Sequence, residues 1–176
     1  THAELIGKNN NALFSYMLID TKNKNSISMA NSLNYKAFQI WNYYSLIPKK
    51  NSNFKIEFEK SVNSDIFPFY VNSWRWIKTT ENILFNLSAQ NQIIKSNLNG
   101  KTSIAIIDDY KHLDKTLIVT LFSGSFDTLS DILFYLQNYA IEKNYERIQI
   151  LTKEELQSFD SLEYKISFNL MKKSLL

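Results

Sequence analysis

Three glycines in 176 residues limit what this chain can build more than any other feature of its sequence. Average usage would give about 12. A phosphate-binding loop needs several glycines within a few residues, so that backbone N–H groups can close on the anion. Gly7, Gly100 and Gly124 stand far apart, so neither a Walker loop nor a dinucleotide fingerprint is present. Left-handed turns can fall to asparagine instead, which tolerates them nearly as glycine does, and there are 20 asparagines. The chain has no cysteine, which excludes a disulfide framework, a thiol nucleophile and a thiolate metal site. Two histidines, His2 and His112, are too few for a His-rich metal centre, and no metal is expected.

Charge narrows the partners. Eighteen lysines and two arginines against 17 acids give +3, which is too even for a nucleic-acid-binding surface. The chain has no signal peptide and no apolar run of 18 residues, so the reading is a cytoplasmic protein without a membrane partner.

Residues 3–9 read as the end of a helix stopped at Asn9–Asn11, and Ala12–Asp20 as a strand. Asn25 is placed to cap a short helix with Ile27, Ala30 and Leu33 on one face. Ala37–Tyr44 is aromatic and β-favouring, and residues 48–53 form a polar linker opened by Pro48. Phe54, Ile56 and Phe58 then alternate with charged residues, as in a half-buried strand. Residues 91–97, 102–108 and 116–122 predict three successive strands. Asp127–Asn144 is the clearest helix, with Leu129, Ile132, Leu133, Leu136, Ala140 and Ile141 in one stripe. Asp127 suits its N-cap and Asn144 the left-handed position past its end. Tyr145–Leu151, a turn or short helix over 154–162, and a strand Tyr164–Met171 complete the order, with Lys172–Lys173 as a charged tail.

The two ends of the chain resemble each other. Ser32-Leu33-Asn34-Tyr35-Lys36 matches Ser161-Leu162-Glu163-Tyr164-Lys165, and Thr21-Lys22 matches Thr152-Lys153. Both stretches run strand, short helix, strand. Residues 18–46 also resemble the C-terminal part of the GNAT (GCN5-related) N-acetyltransferases. In that family a strand is followed by Asn, then Ala or Ser three positions on, then a helix closing with Leu-Gly-Phe. Here Leu18–Thr21 leads to Asn25, Ser28 and Leu33-Asn34-Tyr35, with Asn34 for the glycine and Tyr35 for the phenylalanine. Residues 54–176 follow the order of a whole GNAT domain. The resemblance implies an α+β fold with a mixed, mostly antiparallel sheet flanked by helices. It divides the chain into residues 1–50, the end of a first copy, and 51–176, a degenerate second copy.

The same resemblance implies acetyl-CoA as co-substrate and an amine as acceptor. Asn25 and Ser28 match coenzyme A-contacting positions, although both also suit turn and cap roles. The family's general-acid tyrosine falls on Ala30, so no catalytic residue is assigned. In the second copy the phosphate-cradling place is Ser123-Gly124-Ser125-Phe126-Asp127-Thr128, where an acid faces the anion's position. Two functional readings result: part of a coenzyme A-dependent N-acetyltransferase, or a non-catalytic scaffold, dimerisation or substrate-clamping domain. Residues 1–50 are too few for a core of their own. They are expected to pack on a missing N-terminal part, on the second copy or on another chain of a homodimer, through Trp41–Tyr44 and Trp74–Trp76. Ser73-Trp74-Arg75-Trp76 suits stacking or a core, and Asp108, Asp109 and Asp114 suit a cation or a solvated loop.

Overall fold

The apolar stripe of the second half builds the larger core. In the computed structural model, which describes residues 2–50, 56–59, 92–108, 115–156 and 161–176, it forms a helix over Phe126–Glu142. With helices α1 (His2–Asn9), α2 (Lys24–Ser32) and α3 (Phe126–Glu142), the chain has strands β1 (Phe14–Asp20), β2 (Lys36–Leu46), β3 (Glu57–Glu59), β4 (Gln92–Leu98), β5 (Lys101–Asp108), β6 (Thr116–Gly124), β7 (Arg147–Thr152) and β8 (Leu162–Ser174). The strands follow the order β1-β8-β2-β7-β6-β5-β4-β3. The β6–β7 pair is parallel, whereas β1–β8, β2–β7, β3–β4, β4–β5 and β5–β6 are antiparallel. The fold is thus α+β with a mixed sheet.

Two compact units are present, Thr1–Trp41 with Ile166–Leu176, and Asn42–Lys165. In the larger unit α3 packs across β4, β5, β6 and β7. Leu129, Ile132, Leu133, Leu136 and Ala140 meet Ile94, Ala105, Ile107, Leu117, Val119, Ile148 and Ile150 in one buried cluster. Ile141, assigned to the same stripe, is exposed instead. In the smaller unit, Ile19, Ala30, Tyr35 and Met171 form a core edged by Met17, Ile27 and Leu33.

Several boundaries differ from the sequence reading. The cap of α2 is Asn23, not Asn25: its side-chain oxygen accepts from the Ser26 N–H at 3.0 Å. The N-cap of α3 is Ser125, not Asp127, which lies in the first turn. Here the Ser125 carbonyl accepts from the N–H groups of Thr128 and Leu129, so the cap lies two residues before the acid. Strand β8 runs to Ser174, and Lys172 and Lys173 belong to it rather than to a tail. Residues 153 and 154 form a bend, in keeping with the turn offered there beside a short helix. Trp41 and Tyr44, read as contact residues, are buried.

Asparagine does take the left-handed positions. Asn11, Asn34, Asn99 and Asn144 have φ of 57°, 66°, 51° and 60°. Asn11 and Asn144 each lie just beyond a helix, and the next N–H in each case donates five residues back, Ala12 to Gly7 and Tyr145 to Ala140.

Candidate functional site

The sheet geometry singles out one place in the larger unit. Ligands of mixed sheets gather beyond the carboxyl ends of parallel strands, where a helix N-terminus supplies free N–H groups. The β6–β7 pair runs from Thr116–Arg147 to Val119–Ile150. Beyond it β6 holds one extra residue: Val119 faces Ile107 of β5 and Leu121 faces Ile106, which leaves Thr120 between them. Such a bulge bends the strand, and it falls where β6 and β7 stop pairing.

The ends of the two strands are nonetheless tied together. Thr152 Oγ1 donates to the Phe122 carbonyl at 2.6 Å and accepts from the Glu154 N–H at 3.0 Å. Ser123 Oγ donates to Glu154 Oε1 at 3.1 Å. At the start of α3, Ser103 Oγ donates to the Ser125 carbonyl at 2.9 Å and contacts Thr128 Oγ1, which also bonds that carbonyl. Gly124 (φ +142°) lies directly against Ser103: a Cβ there would meet Ser103 Oγ at 2.3 Å and its Cα at 2.4 Å. The glycine therefore serves strand approach, not anion binding. A coenzyme A diphosphate does not fit this place. The Glu154 carboxylate bonds Ser123 there, and the neighbouring hydroxyls already bond within the protein.

The smaller unit holds the other predicted residues. Asn25 and Ser28 are the second and fifth residues of α2. Three positions apart, they are neighbours on its surface, and both are exposed. Ser123–Thr128 belong to the other unit. Behind α2 lies a buried polar cluster that the sequence did not reveal. Tyr35 Oη donates to Glu4 Oε1 at 2.9 Å and shares a hydrogen bond with Ser15 Oγ at 2.7 Å, while Lys173 Nζ reaches Glu4 Oε2 at 3.0 Å. The cluster ties α1, β1, the end of α2 and β8. Burial, with the Glu4 carboxylate beside it, raises the Tyr35 phenol above its ordinary range. Glu4 and Lys173 stand 169 residues apart, and no local pattern marks them as partners.

Trp74, Trp76, Asp109, His112 and Asp114 lie outside the described residues. Among the described residues, no group of three His, Cys, Asp or Glu side chains is placed to hold a metal, and no helix is long and apolar enough to cross a membrane.

No protein-family model matches the sequence, and no curated protein does. Solved structures do match. A GCN5-related N-acetyltransferase of Sphaerobacter thermophilus superposes with a TM-score of 0.56 at 7% identity, over 92% of this chain and 60% of its own. A conserved protein of Enterococcus faecalis V583, described as a probable N-acyltransferase, matches with a TM-score of 0.53 at 10% identity, over 99% of this chain and 48% of its own. A tandem GNAT protein from the clavulanic acid biosynthesis pathway gives 0.50 at 6% identity, over 99% and 68%. At these identities the likeness is one of fold. This chain spans about three-fifths of the first structure's length and about half of the second's.

Proposed function

From the GNAT fold of this chain, we propose that it is part of a tandem GNAT N-acetyltransferase that moves an acetyl group from acetyl-CoA to an amine. The cofactor site belongs to the first copy, residues 1–50, and the second copy, residues 51–176, is a structural partner that has lost its own site. The observation that carries this reading is the contrast between the two places. Beyond β6 and β7, Ser123, Glu154, Thr152 and Phe122 close the strand ends with their own hydrogen bonds. On α2, Asn25 and Ser28 stand exposed and uncommitted to capping, a role that Asn23 performs. The strand order supports the tandem origin. In β1-β8-β2-β7, exchanging β1 with β7 and β2 with β8 returns the same order read from the other end, as expected for two strand–connection–strand repeats.

Asn25 and Ser28 would hold the cofactor through neutral hydrogen bonds from the edge of α2. When bound, acetyl-CoA supplies the activated acyl group, and the family resemblance implies direct attack by the amine without a metal. The test is calorimetric titration with acetyl-CoA. The wild-type chain is expected to bind weakly, because it supplies one wall of the site. The N25A/S28A variant should lose that heat, and the S123A/E154A variant should keep it. Absence of any binding up to millimolar acetyl-CoA would favour the non-catalytic scaffold instead.

A further inference from the structure

Both helices of the smaller unit lie on one face of its strands. α2 packs on Ile19 and Met171, and α1 reaches the same face through Glu4, which pairs with Lys173. These are odd-numbered positions of β1 and β8. Side chains alternate along a strand, so the even-numbered positions point the other way. No helix of this unit packs on that even face among the described residues. It is apolar: Phe14, Phe38, Ile40 and Ile166 are 40%, 59%, 56% and 36% exposed around the Leu18–Leu170 pair.

One cation and one acid share this face. Lys172 Nζ stands 3.7 Å from the centre of the Phe14 ring, 5.0 Å from that of Phe38 and 5.8 Å from that of Tyr16. Its direct partner across the strands is Tyr16, whereas Asp20 is paired with Phe168. The Leu18–Leu170 pair lies midway between those two rows, two residues or about 7 Å from each. One Asp20 oxygen accepts from the Lys22 N–H at 2.8 Å. Among the described residues neither Asp20 nor Lys172 forms an ion pair.

We infer that this face joins two copies of the chain, related by a two-fold axis that runs along the Leu18–Leu170 pair. Such an axis lays the second sheet face down on the first with its strands reversed. A row two residues to one side of the pair then meets the row two residues to the other side. Asp20 of each copy falls over Tyr16 of the other, beside Lys172, and two reciprocal ion pairs form, as an isologous contact requires. Sheets packed this way stand about 10 Å apart, so their side chains meet between them. The charge pattern selects the occupant. An apolar surface of another protein would bury Lys172 without an acid, which is costly. A second copy brings the acid to the required place, with Phe14 and Phe38 as aromatic anchors. The inference uses neither the tandem reading nor acetyl-CoA binding, so its test contains no cofactor.

The test is sedimentation equilibrium of the 176-residue chain, which is expected to be a dimer. Lys172→Asp alone and Asp20→Lys alone should each weaken that dimer at least about tenfold. An equimolar mixture of these two variants should restore it as a heterodimer, because every charged contact then joins opposite signs. Phe38→Glu, at an exposed position outside both ion pairs, should also yield monomers, and circular dichroism melts show that each variant is folded. A monomeric wild-type chain would overturn the proposal. So would a dimer that Lys172→Asp and Phe38→Glu leave intact, or a mixture of the two charge variants that stays monomeric.

Discussion

Tyr35 shows how a residue read from sequence changed meaning in the structure. The family pattern makes it an aromatic plug, and it is one, at 2% exposure. Its hydroxyl, however, binds Glu4 and Ser15 inside the smaller unit. Tyr35→Phe should cost about 1–2 kcal/mol in urea unfolding, the usual loss for hydrogen bonds of which one partner is charged. The pH response follows from its raised phenol. A folded pKa above the unfolded one gives stability that is full below about pH 10 and is lost as pH rises through the folded value. Unfolding followed from pH 8 to 11 should therefore show falling stability. The fall should be shallower in Tyr35→Phe, with a remainder from Tyr43 and Tyr135, whose phenols burial also raises. Gly124 offers a second residue-scale check. Gly124→Ala should destabilise by about 2 kcal/mol or more through strain and overlap. Ser103→Gly should not rescue it, because the overlap extends to the Ser103 Cα. The family resemblance sets Gly124 in the phosphate-cradling place of the second copy. Its true partner, Ser103, was illegible because the two meet only through β5–β6 register.

Among the elements, α3 was the most legible. Its stripe from Leu129 to Ala140 repeats at helical spacing for about three turns, and Asn144 ends it as expected. Leu133→Ala, at a fully buried position, should cost about 2–5 kcal/mol. Asn144→Ala should cost about 1 kcal/mol and Asn144→Gly close to nothing, since only the alanine resists a left-handed backbone. Thermal melts of the three variants check both statements. The start of α3 was misread because Asp127 and Ser125 are both good cap residues, and choosing between them needs the path of β6. The length of β8 was misread for a similar reason. Two adjacent lysines look solvated, but Lys173 pairs with Glu4 and Lys172 lies over the Phe14 ring at 3.7 Å. Tyr35 and Tyr164 match in the alignment of the two ends, yet Tyr164 is 41% exposed.

For the whole molecule, the shortage of glycine has a definite consequence. Among the described residues, Asn11, Asn34, Asn99 and Asn144 take left-handed positions beside Lys115 and Gly100, and Gly124 lets two strands approach. The three glycines stand too far apart for a diphosphate loop, and Ser123, Thr152 and Glu154 tie the ends of β6 and β7 with their own hydrogen bonds. The proposed division of labour is a cofactor-facing first copy and a second copy that supports it. Amide NMR of the 176-residue chain titrated with acetyl-CoA tests that division most directly. The account predicts shifts confined to α2 and the end of β1, centred on Asn25 and Ser28. Shifts centred on Ser123–Leu129 and Thr152–Glu154 would contradict it.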